Sequence, residues 1–248
     1  MSVENSRRAI VLAGGKGTRL LPYTIVIPKP MLPIGEIPII EIISRQLKFY
    51  NFDHVTISLG YHGEMIRLFL IEKKADPGLP EFDFFIESSP LGTSGPVKSI
   101  SPKSEDFLVI NGDILSTIDL NQLFLSHCES KAALTIAVRK TSYQLPLGSI
   151  EVDNQNNVLN FKEKPTFEFL DNIGAYVYNS RVLNYMSPSE QIDVNVLTQR
   201  LIENKESVRV FRSDGPYFWI DIGTHADYER ANKEFAEVSN SMPFLKGI

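Results

Sequence analysis

Residues 12–30 read LAGGKGTRLLPYTIVIPKP, a stretch in which a cluster of glycines directly follows the short apolar run at residues 9–12. The apolar run has the length of a buried strand, and the glycines stand where a strand of an open parallel sheet turns into the ligand crevice. Glycines at such a turn let backbone N–H groups approach an anion without a Cβ atom in the way. The stretch therefore predicts a parallel α/β sheet with an anion-binding turn after its first strand.

Alternation of apolar runs and amphipathic stretches continues along the chain, and it favours a mainly parallel sheet with helices on both faces. A turn signal, DNQNN at residues 153–157, predicts a hairpin in the second half. The predicted strands are 9–12, 55–59, 82–86, 107–110, 134–138, 149–152, 158–161, 173–178, 208–211 and 217–220. The predicted helices are 38–50, 62–73, 194–203 and 226–238. We therefore expect α/β architecture in a single Rossmann-like domain over residues 1–248, with a helix-flanked central sheet and a smaller β part.

Composition excludes several classes of function. The net charge of −5 argues against an electrostatic grip on nucleic acid. A single cysteine, Cys128, excludes an internal disulfide and a multi-cysteine metal site. The sequence shows no signal peptide and no apolar run of membrane-spanning length, so we expect a cytoplasmic protein without a membrane partner. The histidines at positions 54, 62, 127 and 225 have no ligand spacing and receive no role.

The glycine loop matches neither of two well-known phosphate-binding motifs. A Walker loop needs G-x-x-x-x-G-K-[ST], and a dinucleotide fingerprint needs G-x-G-x-x-G, whereas Gly15 and Gly17 are followed by Leu20. Arg19 follows the last glycine by two residues, and Lys29 stands between two prolines. A forked guanidinium and a point-charge ammonium beside a loop of amides suit a polyphosphate chain.

Several motifs of this sequence resemble those of a known family. LAGGKGTRLLPYTIVIPKPMLPI resembles the opening motif of the sugar-1-phosphate nucleotidyltransferases, the enzymes that make nucleotide-sugars. The segments ESSPLGTSGP, VINGD, FKEKP, NIGAYVYN and FWIDIGTHADY match the same family in order, so the resemblance covers about residues 8–235. Among its members, the mannose-1-phosphate and heptose-1-phosphate guanylyltransferases are the most similar in motif.

The resemblance implies a nucleotide-binding half at about residues 8–115 and a sugar-phosphate-binding half at about 130–238. It implies catalytic roles for Arg19, Lys29 and Lys164. The implied nucleotide-binding residues are Leu12, Ala13, Gly14, Gly15, Gly17, Thr18, Glu87, Pro90, Gly92, Thr93, Asn111 and Gly112. The implied sugar-phosphate-binding residues are Gly148, Glu163, Lys164, Asn172 and Gly174. Many relatives have tyrosine where this chain has Leu147, before Gly148, so the sugar pocket departs from the pattern there.

Two carboxylates are candidate metal ligands. Asp113 and Asp221 each follow an apolar run that predicts a strand. Mg²⁺ prefers one or two carboxylates together with waters and substrate phosphate oxygens. In the family the matching pair binds Mg²⁺ at the α-phosphate, so we expect Mg²⁺ as the cofactor. The reaction implied is in-line attack of a sugar-phosphate oxygen on the α-phosphorus of a nucleoside triphosphate, with release of pyrophosphate.

Glu87 bears on the choice of base, because its position matches the family residue that reads the nucleobase. A carboxylate only accepts hydrogen bonds, and guanine offers two adjacent donors, N1–H and the 2-amino group. We therefore expect GTP, with mannose 1-phosphate ranked before heptose 1-phosphate. The alternatives are a relative that uses dTTP, UTP or CTP, and a catalytically idle subunit that binds nucleotide-sugar.

The expected partners are small molecules, with a homo-oligomer as a possibility. Many relatives carry a C-terminal left-handed β-helix, and we expect none in a chain that ends at Ile248. The tail SNSMPFLKGI contains the apolar residues Phe244 and Leu245. We expect both side chains to be exposed, on a tail that is either loose or packed against a neighbouring molecule.

Overall fold

The computed structural model describes residues 7–246, and this part of the chain contains both strands and helices. The strands are β1 (Arg8–Ala13), β2 (Pro33–Ile34), β3 (Ile37–Pro38), β4 (His54–Leu59), β5 (Glu81–Ile86), β6 (Asp106–Asn111), β7 (Ile114–Ser116), β8 (Leu134–Gln144), β9 (Ser149–Val152), β10 (Val158–Lys162), β11 (Thr166–Asn179), β12 (Val208–Phe211) and β13 (Trp219–Asp221). The α-helices are α1 (Ile39–Phe49), α2 (Gly63–Glu72), α3 (Gly95–Ile100), α4 (Leu120–Ser130), α5 (Val194–Glu203) and α6 (His225–Val238). Within residues 7–246, no helix is both long and apolar enough to cross a membrane.

The chain divides into two compact units. The first consists of the residues up to Ala137 together with those from Ile173 onward, and the second is Val138–Asn172. The division into a nucleotide-binding half and a sugar-binding half concerns ligands, and it stays a prediction.

A seven-stranded sheet of order β12-β8-β11-β6-β1-β4-β5 forms the centre of the fold. β1 pairs in parallel with β4 and with β6, and β4 pairs in parallel with β5. β12 is parallel to β8, whereas β11 runs antiparallel to β6. The predicted mainly parallel α/β sheet is therefore confirmed. Because β1, β4, β5 and β6 are parallel neighbours, the loops after them lie at one edge of the sheet.

The core of the first unit lies on both faces of this sheet, as the alternation of side chains along β1 shows. Ala9 and Val11 belong to one buried cluster, and Ile10 belongs to the other. The first cluster includes buried residues of α1, α2, α4 and α6, and the second includes residues of α3 and α5. Helices thus cover both faces, which explains why the strands read as nearly continuous apolar runs.

The second unit contains the predicted hairpin. β9 and β10 pair antiparallel. The Asp153 carboxylate accepts hydrogen bonds from the N–H groups of Gln155 and Asn157, at 2.8 and 2.9 Å. Aspartate thus shapes the turn through its own following backbone, as an Asx turn does.

The predicted helices and strands are present, with α5, β9 and β12 at the predicted bounds. Two helices, α3 and α4, are absent from the prediction. α3 has only six residues and begins with Gly-Pro, so it has little helical periodicity to detect. α4 does carry a signal, since Asp119 caps it through the Gln122 N–H and its apolar residues repeat with helical spacing.

The expectation for the tail is wrong at Phe244. Met242 and Phe244 are both buried, and Leu245 packs against the core. The Phe244 ring lies 6.3 Å from that of Phe49, at the end of α1. The apolar tail residues therefore cover a helix of their own chain.

Candidate active site

The loop after β1 bends tightly enough to require glycine at one position. Gly17 has a φ of 62°, and its carbonyl oxygen accepts hydrogen bonds from the Thr24 hydroxyl and the Leu20 N–H, each at 2.9 Å. A Cβ atom there would lie 2.9 Å from Thr24 Cγ2 and 3.2 Å from Lys29 Cβ. The loop is therefore folded back against the segment that carries Lys29.

A cavity of about 200 Å³ opens beside this loop, and we call it the glycine-loop cavity. A larger cavity of about 840 Å³ lies beside β5 and holds none of the predicted site residues. Every residue that lines the glycine-loop cavity except Pro30 is a predicted site residue. Its lining consists of Leu12, Ala13, Gly15, Gly17, Thr18, Arg19, Lys29, Pro30, Gly112 and Asp113.

Lys29 is the most deeply buried charge in the site. Only 7% of the residue is exposed. Its Nζ lies 2.6 Å from Asp113 Oδ2 and 3.7 Å from Asp221 Oδ1. The contact with Asp113 is a charge-assisted hydrogen bond, and the contact with Asp221 is a longer ion pair. One ammonium group thus stands beside both predicted metal ligands.

Strand pairing brings the two aspartates together although 108 positions separate them in the sequence. β13 pairs antiparallel with β7, and the register sets Asp221 opposite Ile114. The Ile222 N–H then donates to the carbonyl oxygen of Asp113 at 3.1 Å. The carboxylates are therefore placed by backbone hydrogen bonds.

Arg19 reaches the same place from the glycine loop. A Cβ atom on Gly223 would lie 3.2 Å from Arg19 Nη1, so the guanidinium packs against the backbone two residues after Asp221. The two predicted cations and the two predicted acids therefore lie close together.

The Asp221 carboxylate stands in an environment that disfavours its charged form. Burial raises the pKa of Asp221, the nearby Asp113 charge raises it further, and Lys29 and Arg19 act in the opposite direction. Among the described residues, its buried Oδ1 has no hydrogen-bond partner, since Lys29 Nζ at 3.7 Å is too distant. A buried acceptor without a donor is costly unless a ligand satisfies it.

The two carboxylates fit Mg²⁺ better than a metal held by protein alone. Across residues 7–246, no group of three or more His, Cys, Asp or Glu side chains could hold a metal ion. Two carboxylates, one with an unused buried oxygen, match the preference of Mg²⁺ for few protein ligands and substrate phosphate oxygens. Asp113 and Asp221 are the side chains that would hold the ion.

Glu87 lies just after β5, against the glycine loop. Its Oε1 accepts a hydrogen bond from the Ser58 hydroxyl at 2.8 Å, and its Oε2 accepts one from the Leu91 N–H at 3.2 Å. A Cβ atom on Gly14 would overlap the Oε1 atom. The Glu87 side chain is thus half-buried and fixed by these hydrogen bonds. It lies at the carboxyl end of the parallel strands, where the loops after them meet.

The loop that follows is fixed by the start of α5. Gly92 has a φ of 75°, and a Cβ atom there would lie 2.7 Å from both Asp193 Oδ1 and the Ile192 carbonyl oxygen. The Asp193 carboxylate accepts hydrogen bonds from the N–H of Thr93 at 2.9 Å and from its hydroxyl at 3.3 Å. The Thr93 hydroxyl accepts in turn from the Val194 N–H at 2.9 Å. Pro90, before this fixed segment, is exposed.

Gly112 lines the cavity just after β6, and Asn111 precedes it as the last residue of that strand. The Gly112 N–H donates to the Leu12 carbonyl oxygen at 2.9 Å, which joins the ends of β6 and β1. A Cβ atom on Gly174, whose φ is 77°, would lie 2.8 Å from Asn111 Nδ2. Only glycine at position 174 leaves room for the Asn111 amide.

Four predicted sugar-side residues lie in the second unit. A Cβ atom on Gly148 would lie 2.8 Å from the Phe161 ring and 3.2 Å from Glu163 Oε2, so Gly148 and Glu163 are neighbours. Lys164 has a φ of 45°, and its carbonyl oxygen lies 3.4 Å from Gln144 Nε2. Asn172 ends this unit.

Several residues that shape the site are not among the site residues predicted from the sequence. Among them, Ser58 had a signal, because it is a polar residue inside the otherwise apolar end of β4. The others act through tertiary contacts that no local pattern indicates. The missed residues are Thr24, Pro30, Ser58, Asp193 and Gly223.

Comparison with known proteins identifies the family of this chain. The family model described as Nucleotidyl transferase matches residues 8–238. A D-glycero-alpha-D-manno-heptose 1-phosphate guanylyltransferase from Aneurinibacillus thermoaerophilus is 33% identical over 231 residues, covering 91% of this chain and 97% of the relative. A mannose-1-phosphate guanylyltransferase from Mycobacterium tuberculosis is 28% identical, covering 96% of this chain and 67% of the relative.

The relatives do not all share one nucleotide. A UTP–glucose-1-phosphate uridylyltransferase from Synechocystis is 29% identical, covering 90% of this chain and 62% of the relative. Among solved structures, HddC from Yersinia pseudotuberculosis in complex with GMP-PN has a TM-score of 0.71 and 26% identity. That match covers 92% of this chain and 99% of the other.

Proposed function

Since this chain belongs to the nucleotidyl transferase family, as a sugar-1-phosphate nucleotidyltransferase, we propose that it joins GTP to mannose 1-phosphate or a heptose 1-phosphate. The products are the GDP-sugar and pyrophosphate. The observation that carries the proposal is the glycine-loop cavity, where Arg19, Lys29 and Asp113 meet beside a loop of backbone amides.

The reaction needs positive charge because both substrates are anions. Two unit charges 4 Å apart repel by about 4 kcal/mol at an effective dielectric of about 20. Arg19 and Lys29 offset this repulsion and orient the triphosphate. Mg²⁺, held by Asp113 and Asp221, would supply further stabilisation of the negative charge on the α-phosphate.

The bond changes follow from this arrangement. A sugar-phosphate oxygen forms a bond to the α-phosphorus, and the bond between that phosphorus and the oxygen bridging to the β-phosphate breaks. The electron pair leaves with pyrophosphate. Positioning and electrostatic stabilisation suffice, because the attacking oxygen is already ionised near neutral pH.

Preference for GTP rests on Glu87. Its carboxylate can accept from both N1–H and the 2-amino group of guanine, whereas uracil and thymine present one N–H between two carbonyl oxygens. The two guanylyltransferase relatives support the same choice, and the uridylyltransferase relative supports the alternative, UTP.

The residues proposed to bind the sugar phosphate are assigned only from their match to the family motifs. We propose that Lys164 holds the sugar phosphate and that Glu163 accepts hydrogen bonds from sugar hydroxyls. Gly148, Asn172 and Gly174 complete this set of proposed sugar-side residues. Lys164→Ala should raise the KM for the sugar phosphate while changing the KM for the nucleotide little.

A pyrophosphate-release assay tests the proposal. Each of GTP, UTP, dTTP and CTP is paired with mannose, heptose and glucose 1-phosphates in the presence of Mg²⁺. We expect turnover with GTP, and a loss of at least a hundredfold in Asp113→Ala and Asp221→Ala, since removal of one electrostatic stabiliser typically costs about 10²–10³ in rate. Asp214→Ala, an exposed aspartate in the loop before β13, is the matched control.

Each outcome of the panel has a distinct meaning. Turnover with UTP or dTTP instead of GTP would overturn the assignment of the base and leave the reaction class in place. If no pair of substrates releases pyrophosphate, the result contradicts the proposed substrates and favours the alternative of an idle binding subunit. If the aspartate variants keep turnover within a fewfold of the parent, the metal assignment is wrong.

A further inference from the structure

Ser58 is a fully buried polar residue that the reaction described above does not use. Its neighbours in β4, Ile57 and Leu59, are buried apolar residues of the core. The Ser58 side chain points to the opposite face of the strand, because side chains alternate along it. There its hydroxyl donates to Glu87 Oε1 at 2.8 Å. A buried hydroxyl directed at a carboxylate is a charge-assisted hydrogen bond.

Each of the two carboxylate oxygens of Glu87 accepts one hydrogen bond from the protein. Ser58 donates to Oε1, and the Leu91 N–H donates to Oε2 at 3.2 Å. An ionised carboxylate has about four acceptor sites, two on each oxygen. One site therefore remains on each oxygen, which is the number that the two adjacent donors of guanine need.

Gly14 limits the movement of this carboxylate. A Cβ atom on Gly14 would overlap Glu87 Oε1, so the glycine loop and the carboxylate are in close contact. The Tyr61 N–H also donates to the Gly14 carbonyl oxygen at 3.4 Å, which ties the same loop to the end of β4. The Gly14 backbone thus limits how far the carboxylate can rotate away from its hydrogen bond with Ser58.

We propose that Ser58 is a positioning residue that fixes the plane of the Glu87 carboxylate, and that it thereby contributes to selectivity for guanine over other bases. The inference rests on the proposed use of GTP and on Glu87 as the residue that reads the base. Without the Ser58 hydroxyl, the carboxylate loses the donor that fixes its rotation, so it no longer presents one acceptor to each guanine donor.

The test compares GTP with inosine triphosphate, which lacks the 2-amino group. We expect the wild-type chain to prefer GTP by about tenfold or more in kcat/KM, the size of effect that one hydrogen bond to a charged group produces. Ser58→Ala should reduce that preference about tenfold, through a higher KM for GTP at nearly unchanged kcat. Ser58→Cys keeps the size of the side chain but has only a weak donor, so it should act in the same direction.

Ser44→Ala is the matched control, because Ser44 is equally buried and its hydroxyl donates to the Ile40 carbonyl oxygen within α1. This variant should keep the wild-type ratio. An equal loss of activity with both nucleotides in Ser58→Ala, or an unchanged ratio in Ser58→Ala and Ser58→Cys, would overturn the inference. If the wild-type chain itself shows no preference for GTP over inosine triphosphate, the proposed reading of guanine by Glu87 fails instead.

Discussion

At the scale of single residues, Gly14 and Gly15 are adjacent and alike in sequence, yet they have different surroundings. A Cβ atom on Gly14 would overlap Glu87 Oε1, whereas a Cβ atom on Gly15 would have nothing within 4 Å. The sequence motif predicts both as glycines of a phosphate-binding loop. Only the tertiary contact with Glu87 separates a glycine that is needed for packing from one that is not.

This difference predicts unequal effects of alanine on stability. Gly14→Ala should lower the free energy of unfolding by about 1 kcal/mol, because the Glu87 carboxylate must move away and weaken its hydrogen bonds to Ser58 and Leu91. Gly15→Ala should change it by less than about 0.5 kcal/mol, as expected for a surface substitution without a steric conflict. Urea unfolding of both variants and the parent measures the difference. Equal destabilisation by the two substitutions would contradict the packing explanation.

At the scale of elements, the contact of α4 with β6 and β8 depends on a buried histidine. His127 on α4 is fully buried, with Nδ1 2.8 Å from Thr135 Oγ1 and Nε2 3.2 Å from Asp106 Oδ1. Asn179 and Cys128 also contact the Asp106 carboxylate. Burial lowers the pKa of His127 below its ordinary value of 6.5, and the charge of Arg181 acts in the same direction, whereas Asp106 opposes the shift. The scattered histidines of the sequence gave no indication of this network.

The lowered pKa makes stability depend on pH in a defined direction. Well above pH 6.5 His127 is neutral in both the folded and the unfolded state, and its contribution to stability is fully present. As the pH falls below this value the unfolded chain binds a proton first, so stability is lost progressively toward the lower pKa of the folded state. We expect stability to fall as the pH is lowered from about 7.5 to about 5.5, and to fall less in His127→Gln, which lacks the titrating ring. Urea unfolding at both pH values, in the parent and in His127→Gln, measures it, and an equal loss in the two proteins would show that another group is responsible.

At the scale of the whole molecule, residues distant in sequence complete the first unit. β13 pairs with β7, and the tail at residues 242–245 packs on α1. The first of these long-range contacts places a predicted metal ligand, and the second closes the core. The tail is therefore part of the folded unit that carries the site.

Removal of the Phe244 ring should have a measurable cost. Phe244→Ala should lower the free energy of unfolding by about 3 kcal/mol, as for other buried phenylalanines. Phe169→Ala, at a position that is 52% exposed, is the matched control and should cost less than about 1 kcal/mol. Urea unfolding gives both values. If the two substitutions cost the same, the tail contributes nothing to the core.

Local sequence patterns are enough to predict the central sheet and the chemistry of the loop after β1. The signals for them are local: the alternation of strands with helices, the glycine cluster, and Arg19 and Lys29 beside it. Such patterns can be detected in a sequence because backbone geometry requires particular residue types at fixed spacing. The family resemblance implies that Asp113 and Asp221 act as a pair, and the fold supplies the strand register that brings them together. The contacts of Ser58 with Glu87 and of Phe244 with α1 emerge only from the fold. These contacts depend on pairing and packing between elements far apart in the chain, and no short stretch of sequence carries that information.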